Sequence, residues 1–150
     1  EDIEISITES VIPRSGAPLL VVELSQVDRD AVVDIGGTFL RAGFEPLARA
    51  DVGGDTDGHI YLVASKPNCC VALTGYLPDY CDDESDASLT IRFNFAPEAQ
   101  RTADDAAWIE WVNDEMLAGI SKDLRSLPEP QRAPLAARLT QLAEIARKAA

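Results

Sequence analysis

"HIYLVASKPNCCVALTGYL", residues 59–77, is the stretch whose reading decides the fold. Two apolar runs, 59–65 and 70–77, flank Lys66-Pro67-Asn68. Each run is strand-sized and rich in β-branched and aromatic residues, and the short turn between them predicts an antiparallel hairpin. Downstream, "LTIRFNF" (89–95) alternates without a break. Leu89, Ile91, Phe93 and Phe95 take one face and Thr90, Arg92 and Asn94 the other, the period of a half-buried strand.

Upstream, "IEISI" (3–7) alternates in the same way, and the turn cluster from Pro13 to Pro18 ends it. "LLVVEL" (19–24) is a denser apolar run and reads as a more central strand. Ser25 with Asp28 resembles a capping box opening a helix. Its apolar face is Ala31, Val32, Ile35, Phe39 and Leu40, and Gly43 stops it. The stretch "DIGGT" (34–38) invites comparison with phosphate-binding glycine loops, but those glycines need a loop that follows a strand. Here the helical period runs through Gly36 and Gly37, which are expected to let the helix pack closely on the sheet. Residues 51–58 read as an acidic turn. Aligned with a calcium loop through Gly58, Gly53 takes the first ligand position and Ala64 the terminal one, so both ligands are missing.

The last third is helical. Thr102 with Asp105 is expected to open a helix with the stripe Trp108, Ile109, Val112, Met116 and Ile120. Residues 127–130 break the chain, and Pro134 is expected in the first turn of a last helix faced by Leu135, Leu139, Leu142 and Ala146. The order β-β-α-β-β-β-α-α clusters its strands. It predicts an α+β fold over residues 1–150 as one domain: a mostly antiparallel sheet of about five strands against three helices, two of them C-terminal.

The net charge of −13 is unevenly placed. Residues 1–115 carry 23 acids and 7 bases, a net of −16, whereas residues 116–150 carry 3 acids and 6 bases, a net of +3. An acidic body of this kind argues against unaided binding to nucleic acid or anionic membranes, where phosphates demand Lys and Arg. It suits a basic protein partner. No apolar run is long enough for a membrane helix, the N-terminal stretch lacks a signal-peptide pattern, and three cysteines suit a reduced, cytoplasmic protein.

Catalytic and metal signatures are weak. Cys69 and Cys70 are adjacent on an expected strand, so their side chains point to opposite faces and cannot jointly grip one ion. Cys81 stands among Asp79, Asp82, Asp83 and Glu84, whose field works against a thiolate. A thiol paired with His59, the only imidazole, would need the hairpin to bring Cys69 or Cys70 beside it. No cofactor, metal site or catalytic residue is assigned.

Residues 79–86 hold five acids in eight positions. They form the candidate partner-binding loop, through Asp79, Tyr80, Asp82, Asp83, Glu84 and Asp86, with Tyr76 beside it and Trp111 as a second contact residue. The function this supports is a non-catalytic acidic protein of the immunity, antitoxin, inhibitor or chaperone kind, facing a basic toxin- or effector-like partner. Two alternatives stand beside it. One is a small enzyme using carboxylate acid–base chemistry. The other is a self-assembling subunit in which the basic last helix of one copy meets the acidic body of another.

Overall fold

Six strands and three helices succeed one another in a computed structural model that describes residues 3–13, 15–53, 58–78 and 87–149. They are β1 (Glu4–Val11), β2 (Pro18–Val27), α1 (Arg29–Arg41), β3 (Glu45–Gly53), β4 (Gly58–Lys66), β5 (Cys69–Leu77), β6 (Ala87–Asn94), α2 (Glu98–Ser126) and α3 (Glu129–Ala149). The strands form one sheet in the order β1-β2-β6-β5-β4-β3, every neighbouring pair antiparallel. The fold is α+β as expected, with six strands rather than five. The chain divides into two compact units, residues 1–116 with the sheet and residues 117–150, which are helical.

The additional strand is β3, where Pro46, Ala48 and Ala50 give little of the β-branched signal by which strands are recognised. It lies at the sheet edge, where proline is tolerated, and a register shift between Pro46 and Ala48 absorbs one residue beside it. A second irregularity lies in β2. Leu24 pairs with Leu89 but Val27 pairs with Ala87, so β2 carries one extra residue. Gln26 takes φ +56° there. The bulge returns the Val27 side chain to the core beside Leu24, which strict alternation would have denied it.

The two sheet faces bury different sets. Leu62, Ala64, Val71, Leu73, Leu89 and Ile91 face Ile35 and Phe39 of α1. At the other end of α1, Val32 packs with Val27, Ile60, Leu77 and Ala87. On the opposite face, Ala50, Tyr61, Val63, Cys70 and Ala72 meet Trp108, Ile109, Trp111, Val112 and Met116 of α2. Ile120, expected to continue that stripe, is exposed and belongs to the helical unit.

Helix boundaries follow their caps. Asp28, rather than Ser25, caps α1 by accepting from the Asp30 N–H at 3.3 Å, while Ser25 belongs to β2. Gly43, at φ +95°, follows the C-cap Ala42. α2 begins at Glu98, so Thr102 and Asp105 lie inside it. α3 begins at Glu129 and carries Pro134 in its interior, not its first turn.

The close approach of α1 to the sheet is not made where the glycine pair predicted it. A Cβ on Gly36 would meet Leu62 at 3.7 Å, ordinary contact, whereas a Cβ on Gly75 of β5 would stand 2.6 Å from Val32 Cγ1. Val32 is fully buried and cannot retreat. Gly75→Ala is therefore expected to destabilise by about 1–3 kcal/mol through overpacking. Gly36→Ala should leave stability unchanged or raise it by up to ~1 kcal/mol through helix propensity. Denaturant unfolding of the two variants checks the contrast, and equal losses would contradict it.

Candidate interaction surface

Toward the other end of β4, β5 and β6 on the α2 face, His59, Thr74, Tyr76, Ser88 and Thr90 are half-buried around buried Tyr61. The strand register brings His59 opposite Tyr76, Tyr61 opposite Thr74, Thr74 opposite Thr90, and Tyr76 opposite Ser88. Directly opposed residues share a face, so these six side chains form a polar, aromatic patch on the α2 side. The His59 ring lies 5.2 Å from Tyr76 and 6.1 Å from Tyr61. Tyr61 in turn meets Trp111 edge-on at 5.4 Å, and Arg92 lies over the Trp111 ring at 5.8 Å. Arg92, Trp108 and Trp111 line a cleft of about 310 Å³.

One carboxylate is fixed in this patch. The Tyr61 hydroxyl donates to Glu115 Oε2 at 3.2 Å. Burial first, and then the field and hydrogen bond of Glu115, push the Tyr61 phenol up to about 12. Tyr61 therefore stays a donor at physiological pH and holds the Glu115 carboxylate against the aromatic row. Aromatic faces beside a fixed carboxylate can receive a Lys or Arg side chain by combined cation–π and ionic contact.

Of the sequence-predicted contact residues, Tyr76 and Trp111 both lie on this face. Trp111 is shared between the core cluster and the cleft. Asp79, Tyr80, Asp82, Asp83, Glu84 and Asp86 lie outside the described residues. The strand ends that flank them, Leu77 and Ala87, belong to the same end of the sheet as His59 and Tyr76. As contact residues, His59, Tyr61 and Glu115 were not singled out from sequence, His59 entering only as the imidazole a thiol would need. The alternation of β4 was the only signal for the first two, and the pairing of Glu115 with a tyrosine 54 positions away has no local signature.

The hairpin register separates the thiols from the imidazole. Cys70 is opposite Ser65 and His59 opposite Tyr76. Six residue steps of strand, roughly 20 Å, separate Cys70 from Tyr76. Burial raises the pKa of both Cys69 and Cys70, with Asp105 adding to the rise at Cys70 and Arg101 working against it at both.

Among the described residues, the perturbed carboxyl lies away from the aromatic patch. Asp105 of α2 faces buried Arg101 at 3.1 Å. Desolvation raises the Asp105 pKa against the lowering pull of Cys70 and Arg101.

No family model matches this chain, and comparison with curated proteins and with solved structures gave no match. Among the described residues, no helix is long and apolar enough to cross a membrane.

Because its folded-state pKa is raised above the ordinary 3.8, Asp105 holds its proton more tightly in the folded chain than in the unfolded one. Its contribution to stability is complete below 3.8 and lost as pH rises through the raised value. Relative to Asp105→Asn, the wild type should therefore gain unfolding free energy as pH falls through that window. Denaturant titrations at successive pH values measure the gap. A gap that narrows on acidification would contradict the burial argument.

Proposed function

We propose that this chain is a non-catalytic binding module, acting in the cytoplasm, that presents an acidic and aromatic surface to a basic protein partner. The observation that carries this reading is the aromatic row of half-buried His59, Tyr76 and Trp111 around buried Tyr61, with Glu115 fixed against it. Residues 1–115, which include that row, carry a net charge of −16. Tyrosine and tryptophan give large contact areas at low conformational cost, and a strongly acidic field steers a cationic partner toward them. Tyr76 stands three positions before the acidic segment 79–86, so the two candidate contact regions are consecutive along the chain.

The class that fits is the stoichiometric binder, an immunity protein, antitoxin, inhibitor or secretion chaperone that covers a basic surface on a toxin or effector. An enzyme using paired carboxylates is less well supported. The perturbed acid Asp105 is only 12% exposed at its side chain and faces a fully buried arginine.

Capture from the source organism at low salt, with identification by mass spectrometry, should recover one basic protein in a one-to-one complex. Against that partner, Tyr76→Ala should weaken binding about 10-fold or more, as for an aromatic contact near a hot spot. The triple change Asp82→Asn, Asp83→Asn, Glu84→Gln should lower the association rate and flatten its salt dependence. Unchanged affinity in Tyr76→Ala would remove the aromatic row from the interface. Unchanged kinetics in the triple variant would remove the loop.

A further inference from the structure

The two edges of the sheet differ. β3 carries Pro46 and a register shift beside it, devices that blunt an edge against further pairing. β1 has neither. Its eight residues pair with β2 without a break, include no proline, glycine or lysine, and are all exposed. Among the described residues, no strand lies on its outer side.

Hydrogen bonding fixes which backbone groups of β1 face out. Ile12, just past the strand, donates its N–H to the Ala17 carbonyl at 3.0 Å, so residue 12 faces β2. Inward and outward residues alternate along an antiparallel ladder. Ile5, Ile7, Glu9 and Val11 therefore turn their N–H and C=O groups outward. Their side chains stand on the α1 face, opposite Leu24, Val22, Leu20 and Pro18, with Ile5 64% and Ile7 66% exposed. Glu4, Ser6, Thr8 and Ser10 stand on the α2 face, where Glu4 accepts from Ser25 Oγ at 3.3 Å. Acids thus flank the two isoleucines along the strand, Glu4 on one face and Glu9 on the other. Among the described residues, no ion pair holds either acid.

We propose that β1 takes an added strand from a partner: an extended segment antiparallel to β1, apolar opposite Ile5 and Ile7 and basic opposite Glu4 and Glu9. Main-chain bonds to the outward groups supply the affinity, and alternate side chains supply the selection. Apolar residues opposite the isoleucines make cross-strand pairs on the α1 face. Basic residues answer an acid toward each end, in a chain of net −13. A second copy of this chain would bring the same two acids and the same net charge to the edge, so charge selects a different, basic strand. The edge is a separate surface from the aromatic row, since Tyr76 stands on β5, three strands away.

The probe is an acetylated, amidated peptide, Val-Thr-Lys-Thr-Val-Thr-Val-Lys, whose residues in order face Val11 back to Glu4. Amide exchange on the full chain should show Ile5, Ile7 and Glu9 exchanging fast when free and slowing at least about 10-fold with the peptide. N-methylation of the valine facing Ile7, whose N–H points at β1, should weaken binding at least about 10-fold. N-methylation of the threonine facing Ser6, whose N–H points away, should leave binding intact. Glu4→Gln with Glu9→Gln should weaken binding and remove its salt dependence, and Ile5→Lys with Ile7→Lys should abolish it, with circular dichroism unchanged. No binding at millimolar peptide, or binding indifferent to the position of the N-methyl group, overturns the proposal. Protection of Ile5 and Ile7 that rises with protein concentration alone also overturns it, because a second copy then takes the edge. None of these results bears on the aromatic row, which Tyr76→Ala tests against its own partner.

Discussion

A single buried guanidinium joins α2 to the sheet. Arg101, in the first turns of the helix and with no exposed surface, donates to the Pro67 carbonyl at 3.0 Å, the Ala96 carbonyl at 2.8 Å and the Lys66 carbonyl. The β4–β5 turn offers carbonyls that an antiparallel ladder cannot satisfy, and the planar five-donor fork of arginine can serve several of them at once. Asp105, one turn on, balances the charge at 3.1 Å. Its neighbour Asp104 accepts from Ser15 Oγ at 2.8 Å and from Asn94 Nδ2 at 3.3 Å. Three polar residues within five positions thus fasten the start of α2 to the β4–β5 turn, the β1–β2 turn and the end of β6. Buried charge is tolerated because it is paired and hydrogen-bonded.

What the anchor positions is the rest of α2 in the sheet unit. From Arg101 to Glu115 the helix rises about 21 Å, which carries Trp108, Trp111 and Glu115 from the anchored end toward Tyr61. The fastening is at one end of the sheet, and the aromatic row with its Tyr61–Glu115 hydrogen bond is at the other. The α1 face works differently. It is sealed by Val32, Ile35 and Phe39 over the central strands, with Phe39 edge-on to Phe44 at 5.3 Å, while β1 stays open.

Sequence periodicity revealed the hairpin 59–77, the strand 89–95 and the two N-terminal strands because each carries a patterned apolar face, which β1 alone among them leaves exposed. It did not reveal β3, whose proline, alanines and arginine carry no such pattern and which pairs on one side only. Caps were harder still. Ser25 and Asp28 are both good capping residues, and the choice between them is made by the bulge at Gln26 that prolongs β2. At Gly36 and Gly37 the sequence pointed to the right contact between helix and sheet but to the wrong partner, since the tight approach is at Gly75 on the strand. For the surface, Tyr76 and Trp111 stood out beside acidic stretches. Arg101 did not, because nothing local distinguishes an arginine that will be fully buried from one that faces water.

Hydrogen exchange and unfolding of Arg101→Leu test the dependence of α2 on that arginine most directly. The substitution leaves Asp105 buried without its counter-charge and removes the guanidinium donors from the Lys66, Pro67 and Ala96 carbonyls, of which Pro67 keeps the Glu98 N–H. It should cost about 3–5 kcal/mol, and protection should fall along residues 98–116 before it falls in β4 and β5. A loss below about 1 kcal/mol, or exchange that rises uniformly over the sheet, would show that apolar contact with Val112 and Trp108 holds the helix and that the guanidinium is incidental.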